Sequence, residues 1–168
     1  NKRVFSDNSN WLFGYWNGNR DSWHFNQWLR NGPTDSDTLW HMHVATMNNS
    51  DQGNTWVDLF QTTTNGNGAH GSQYAPKKIY LGGNNGERSN CEIAEFLVFA
   101  RVLSTEERQQ VEGYLGHKWG MSDLFPGDHP YNQSPPVYDV SVDYTVTATN
   151  TTPVTVSVTF NLLGVGTA

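Results

Sequence analysis

Apolar positions between residues 105 and 119 recur every three to four residues, so that Val111, Tyr114, Leu115 and Trp119 form one stripe. That spacing predicts an amphipathic helix. Ser104 stands three residues before Glu107, the arrangement of a capping box, in which the hydroxyl accepts a first-turn amide and the carboxylate reaches back to the cap amide. Glu106 and Glu107 at one end and His117 and Lys118 at the other suit the helix dipole, and Gly120 supplies the stop. The stripe predicts that Leu115 faces the body of the protein and Glu112 faces away. Just upstream, residues 93–99 are mostly apolar and include Ile93, Phe96, Val98 and Phe99, which predicts a strand covered on both faces.

Elsewhere the pattern has period two. Residues 4–16 predict two short strands around a turn at 6–10, and Asn17-Gly18 is a hairpin dipeptide. Residues 21–30 alternate aromatic and polar side chains and predict the returning strand. After a loop to Asp37, residues 38–46 predict a strand, with Leu39, His41, His43 and Ala45 on one face and Trp40, Met42, Val44 and Thr46 on the other. A polar loop at 48–54 leads to a strand at 55–61, and residues 62–72 are low in complexity and predict an exposed loop. Residues 77–82 predict one more strand. Beyond the helix, 125–136 predicts a proline-containing, extended exit. From residue 137 to 163, Val alternates with Thr or Ser in two blocks separated by residues 150–152. These blocks predict a β-hairpin or the opening of an immunoglobulin-like module.

The run IAEFLVFARVLSTEERQQVEGYLGHKWG, followed by DHPY, resembles the end of laminin-G-like, concanavalin-A-like jelly-roll domains. It is most similar to the version found in large secreted and surface proteins of environmental bacteria. The positions that carry the resemblance are Ala94, Glu95, Leu103, Ser104, Glu107, Arg108, Val111, Glu112, Tyr114, Leu115 and Lys118 to Gly120. The resemblance implies an all-β fold: an antiparallel two-sheet sandwich (jelly roll) with one short C-terminal-side amphipathic helix. It covers residues 1–131, leaving 132–136 as a linker and 137–168 as a β tail or the start of a second β domain. It implies that Glu95 is a structural anchor for the helix. Asp58 is followed by Leu59 where the family pattern has Gly, which predicts a reshaped turn or a longer strand. The family domain also carries strands ahead of the matched region, so the sandwich is expected to be completed from elsewhere: the chain's own tail, a neighbouring subunit or a longer polypeptide.

Composition narrows the function. Of 168 residues, 15% are charged, against roughly 25% in an average globular protein, so Asn, Ser, Thr and Gln must supply much of the surface, as in many extracellular settings. The net charge of −6 and the lack of a basic cluster argue against nucleic acid. No apolar run reaches the roughly 18 residues of a membrane span. The single Cys91 allows no internal disulfide and is expected to be a small buried hydrophobe at the start of the 93–99 strand, the alternatives being an intermolecular bridge or a surface thiol. Asn1 is not a natural translation start, so the chain reads as processed or excerpted, and the absent leader says nothing against secretion.

No motif of hydrolytic, phosphate-binding or dinucleotide-binding chemistry occurs. His41 and His43 would share a strand face without an identifiable third metal ligand. Asp35, Asp37 and Asp51 sit in polar loops and supply oxygens suited to structural calcium, though they match no defined calcium loop; ordinary solvated acids are the alternative. The aromatics say more. Five of the seven Trp fall before residue 41. Trp16, Trp23 and Trp28, with Asn17, Asn19, Asn26 and Gln27 beside them, have the composition of a sugar-stacking platform; the alternative is that these rings fill the core. The sequence therefore points to a non-catalytic extracellular or cell-surface module for adhesion or glycan binding. Its expected partners are a glycan or another surface protein, within a larger polypeptide or homo-oligomeric assembly. The alternatives are a structural spacer or filament subunit assembling by strand addition, and an accessory domain of a polysaccharide-degrading enzyme.

Overall fold

A computed structural model describes residues 3–6, 11–25, 27–34, 37–50, 52–67, 79–82 and 86–137. Eight strands and one α-helix follow one another: β1 (Phe5–Ser6), β2 (Trp11–Trp16), β3 (Asn19–Phe25), β4 (Trp28–Asn31), β5 (His43–Met47), β6 (Gln52–Val57), β7 (Phe60–Asn67), β8 (Tyr80–Leu81) and α1 (Thr105–Lys118). They make a five-stranded sheet in the order β4-β3-β2-β1-β8 and a three-stranded sheet in the order β5-β6-β7, and the strands pair antiparallel throughout. The protein is thus mostly β, with two antiparallel sheets and one helix. No helix among the described residues is long and apolar enough to cross a membrane.

The period-two pattern of β2 sorts its side chains between two faces. Trp11 joins Val4, Phe5, Trp23 and Leu29 in the core, with Phe13, Tyr15, Ala45, Met47, Ile79, Ile93 and Phe96 packed against them. The small sheet closes on this cluster through Gly53 of β6, where an added Cβ would lie 2.8 Å from the Trp23 ring and closer still to Leu29. Glycine is therefore required there by the approach of the two sheets. Two of the hairpin connections, β2–β3 and β6–β7, are tight two-residue turns. Asn17 and Gly18 take φ of 49° and 84° between Trp16 and Asn19, as the dipeptide predicts. Asp58 and Leu59 take φ of 49° and 71° between Val57 and Phe60. The strand does not continue past Asp58: β6 ends at Val57 and Leu59 is held in the left-handed region of the turn.

Several boundaries differ from the sequence reading. Residues 21–30 are two strands rather than one, because the chain folds back between His24 and Trp28, which pair directly. The strand expected from residue 38 begins only at His43, since residues 37–42 are held by side-chain bonds to Asp37 and Asp58. The expected loop at 62–72 is instead strand through Asn67, pairing with β6 along its length; residues 68–72 lie outside the described residues. The predicted strand at 93–99 is absent: Ile93 and Phe96 pack inward, Phe96 stacking on Phe5 at 4.4 Å, but no ladder forms. Cys91 is exposed, not buried. The predicted tail hairpin at 137–163 lies beyond the last described residue, Val137.

Helix α1 has the predicted cap, with both bonds of the Ser104–Glu107 box present. Its buried face is not the predicted one. Glu112, Gly113 and Gly116 are buried, whereas Val111, Tyr114 and Leu115 are half-buried. Gly113 abuts Tyr131 and Gly116 abuts Phe125, so the helix closes on the exit segment that follows it, which turns back rather than running extended. Arg108 pairs with Glu112 and lays its guanidinium 4.4 Å from the centre of the Trp56 ring, fastening the helix to β6. A stripe of small residues with one paired acid carries this packing, where the sequence pattern favoured large apolar side chains.

Candidate functional site

The side chains of β2 that point away from the core build a shallow cleft on the outer face of the five-stranded sheet. Leu12, almost fully buried, forms its floor, and Trp16 stands at the end of the same strand. The reversal between β3 and β4 brings His24 and Trp28 to the same place, with their rings 4.8 Å apart in an edge-to-face arrangement. Trp28 is 40% exposed and lies 6.1 Å from Trp16, their planes inclined at 53°. Arg3 and Glu87 close the other side. The cleft measures about 190 Å³.

The polar pair in this cleft is firmly held. Arg3 Nε donates to Glu87 Oε2 at 2.5 Å and Arg3 Nη1 to the Trp11 carbonyl at 3.0 Å, which places the guanidinium 5.6 Å from the Trp16 ring centre. Backbone bonds from Arg3 to Glu87 and from Ser89 back to Arg3 fix the two segments side by side. One cation beside one carboxylate leaves the site close to electrically neutral. Chemically, the arrangement offers two inclined indole faces, an imidazole, and paired charged groups able to donate and accept hydrogen bonds.

Of the expected platform residues, the structure brings Trp16 and Trp28 together and separates Trp23 from them. Trp23 is 3% exposed and belongs to the core between the sheets, its Nε1 lacking a hydrogen-bond partner. It points inward because it is an odd-numbered neighbour of His24 on a regular strand, and a ring cannot serve both faces. Asn17 is exposed in the turn beside Trp16. Asn19 is committed elsewhere: its Nδ2 donates to Asn31 Oδ1 at 2.6 Å and its Oδ1 accepts from the Thr34 hydroxyl at 2.8 Å. Gln27 is exposed, and Asn26 lies outside the described residues. Arg3, Leu12, His24 and Glu87 were not singled out from the sequence. His24 follows once the antiparallel pairing of β3 with β4 is known, but Arg3 and Glu87 are far apart in the chain and carry no local signal.

Of the three loop acids, Asp37 alone lies within the described residues, and Asp35 and Asp51 lie outside them. Asp37 Oδ1 accepts from the Leu39 amide at 2.8 Å and meets His41 Nε2 at 2.8 Å, and Arg20 approaches Oδ2 at 3.6 Å. The hydrogen bond from His41, then that from the Leu39 amide, holds the Asp37 carboxyl below the usual carboxylate range. His41 Nδ1 meets Asp58 Oδ2 at 2.7 Å, and Asp58 Oδ1 accepts from the Met42 amide at 3.0 Å. This cluster joins the β6–β7 turn to the entry of β5. Among the described residues, no group of three or more His, Cys, Asp or Glu is placed to hold a metal ion.

Next to it, His43 sits between the rings of Phe13 and Tyr15, at 5.9 and 5.6 Å, with a buried Nε2 that has no partner. Burial pushes the imidazole down to about 4 and raises the Tyr15 phenol to about 12. Glu95 anchors the helix, accepting from Tyr114 Oη at 3.1 Å and Trp119 Nε1 at 2.9 Å and pairing with Lys118 at 3.1 Å. Burial works against its charge, but these bonds from Trp119, Lys118 and Tyr114 outweigh it and bring the carboxyl below its ordinary range. Comparison of the chain with family models, curated proteins and solved structures found no match.

Proposed function

We propose that this chain is a non-catalytic extracellular or cell-surface module of laminin-G-like, jelly-roll type, which binds a glycan at the cleft between Trp16 and Trp28. The observation that carries the reading is the pairing of two Trp from different strands, 6.1 Å apart, on the outer face of the large sheet, one of them 40% exposed. An exposed indole on a sheet face is costly unless something covers it, and the apolar face of a pyranose ring fits such a surface. Arg3, Glu87 and His24 lie where ring hydroxyls would fall. Because Arg3 and Glu87 compensate one another, the site suits neutral sugars over uronic acids. The surface rich in uncharged polar residues agrees with an extracellular setting.

The test is titration of neutral and acidic oligosaccharides against the protein, followed by tryptophan fluorescence and chemical-shift mapping. Binding to a neutral oligosaccharide should weaken at least tenfold in Trp28→Ala and in Trp16→Ala, with the fold retained. No binding across the panel at millimolar ligand, or binding unchanged in both variants, rejects the proposal. A second reading, a subunit that assembles by strand addition, is favoured by the unladdered apolar stretch that precedes helix α1.

A further inference from the structure

Residues 97–102 present a combination that folded proteins rarely leave uncovered. Leu97, Val98, Phe99 and Val102 are 42%, 65%, 46% and 45% exposed. The stretch belongs to no strand or helix, and among the described residues its backbone makes no hydrogen bond to another segment. Just upstream, Ile93 and Phe96 are packed on the core, and near the downstream end of the stretch the Arg101 side chain is tied to Glu107 of the helix cap at 2.6 Å. The stretch is therefore held at both ends, and in between, among the described residues, its backbone groups have no ladder partner and its four apolar side chains are exposed. Unpaired amides and carbonyls next to apolar side chains form a template for an added strand.

We infer that residues 97–102 are the acceptor for a strand supplied by this chain's own tail, residues 138–163. Three observations favour the tail over other occupants. Its sequence alternates: Val140, Val142 and Tyr144 share one strand face, as do Val154, Val156, Val158 and Phe160. A two-stranded hairpin with such faces is marginal alone in water and needs a further sheet to bury them. The tail also has the reach. It follows directly on Val137, and the 31 residues from 138 to 168 span up to roughly 100 Å when extended, several times the roughly 13–15 Å radius of a domain of this size. Finally, a segment tethered in the same chain acts at an effective concentration in the millimolar range, which a separate partner seldom matches.

The test uses the full chain and hydrogen–deuterium exchange. Amides of residues 97–102 should exchange at least tenfold more slowly than an unstructured peptide of the same sequence. Val142→Pro and Val156→Pro each interrupt one tail block, since proline cannot donate to a ladder. At least one of them should abolish that protection while the α1 amides remain protected. Should a proline variant also lose the α1 protection, disulfide trapping decides instead. On a Cys91→Ser background, Val98→Cys combined in turn with Val142→Cys, Asp143→Cys, Val156→Cys, Ser157→Cys and Val158→Cys should give at least one intramolecular crosslink. Unprotected 97–102 amides in the unmodified chain overturn the inference. So does protection that survives both prolines, which would indicate a second copy or another segment, or failure of every one of these pairs to close.

Discussion

The carboxylate of Glu112 lies 3.4 Å from His129 Nε2 inside the packing between helix α1 and the segment that follows it, with 1% of the Glu112 side chain exposed. Arg108 meets the other carboxylate oxygen from the preceding turn. An acid so enclosed is tolerated because it is paired on both sides, and the same pairing makes it hard to replace. Removing one partner of a buried ion pair leaves the others uncompensated, which costs about 3 kcal/mol or more. Glu112→Ala should therefore lower the midpoint of urea unfolding by more than Leu115→Ala, whose half-buried side chain is worth about 1–2 kcal/mol. The reverse order would place the buried face of the helix on the apolar stripe instead.

Gly116 makes the same point sterically. An exposed helix interior gains about 1 kcal/mol when glycine becomes alanine. Here the new Cβ would run into the Phe125 ring, and at Gly113 it would lie 2.7 Å from Tyr131 Cβ. Overpacking of this kind typically costs about 1–3 kcal/mol and outweighs the propensity gain. Gly116→Ala and Gly113→Ala should both lower the melting temperature, while Gly127→Ala, with open space around it, should leave it nearly unchanged.

These residues show where the sequence was readable. Signals confined to a few neighbours were legible: the Ser104–Glu107 box, the Asn17-Gly18 turn and the alternation of β2 all appear as predicted. The buried side of α1 was not, because it is made of Gly113, Gly116 and one acid whose partner, His129, lies 17 residues away. Periodicity weighs large apolar residues and is blind to close approach through glycine. The Trp16–Trp28 cleft was half legible. An aromatic-rich stretch announces that rings will be used, but the pairing of β3 with β4 decides that Trp28 joins Trp16 outside, while alternation along β3 turns Trp23 inside. Glu87 comes to Arg3 from 84 residues away, beyond any local pattern.

Leu59 sits at φ 71° in the second position of the β6–β7 turn. For a residue with a Cβ the left-handed region costs roughly 1–2 kcal/mol, and glycine adopts it without that cost. Its half-buried side chain returns part of this through contacts. Leu59→Gly should thus raise stability by about 0.5–1 kcal/mol, offset in part by the greater freedom of the unfolded glycine chain. Asp58→Ala should act in the opposite direction, because the Asp58 carboxylate holds both His41 and the Met42 amide. Denaturant midpoints of the two variants should move to opposite sides of the parent, and a shared direction would show that backbone strain is not what limits this turn.

His43 and Glu107 divide the acid limb of stability into two windows. His43 is held down to about 4 by burial from an ordinary 6.5, so protons bind the unfolded chain more tightly than the folded one. Above pH 6.5 the ring is neutral in both states and adds no pH dependence; stability falls as pH drops from 6.5 towards 4, then levels off once both states are protonated. A shift of this size corresponds to roughly 3 kcal/mol across that window. Glu107 behaves as a depressed acid: Arg101, then the Ser104 amide, hold it near 2 instead of 4.5. Its stabilising charge is complete above 4.5 and lost as pH falls towards 2, and at so exposed a site solvent screening keeps the effect small. His43→Leu should flatten the stability profile between pH 6.5 and 4 while leaving the lower window intact. Glu107→Gln should do the converse. Urea midpoints measured every half pH unit distinguish the two, and a His43→Leu profile that still falls between 6.5 and 4 would show that the acid sensitivity of this protein begins at another group.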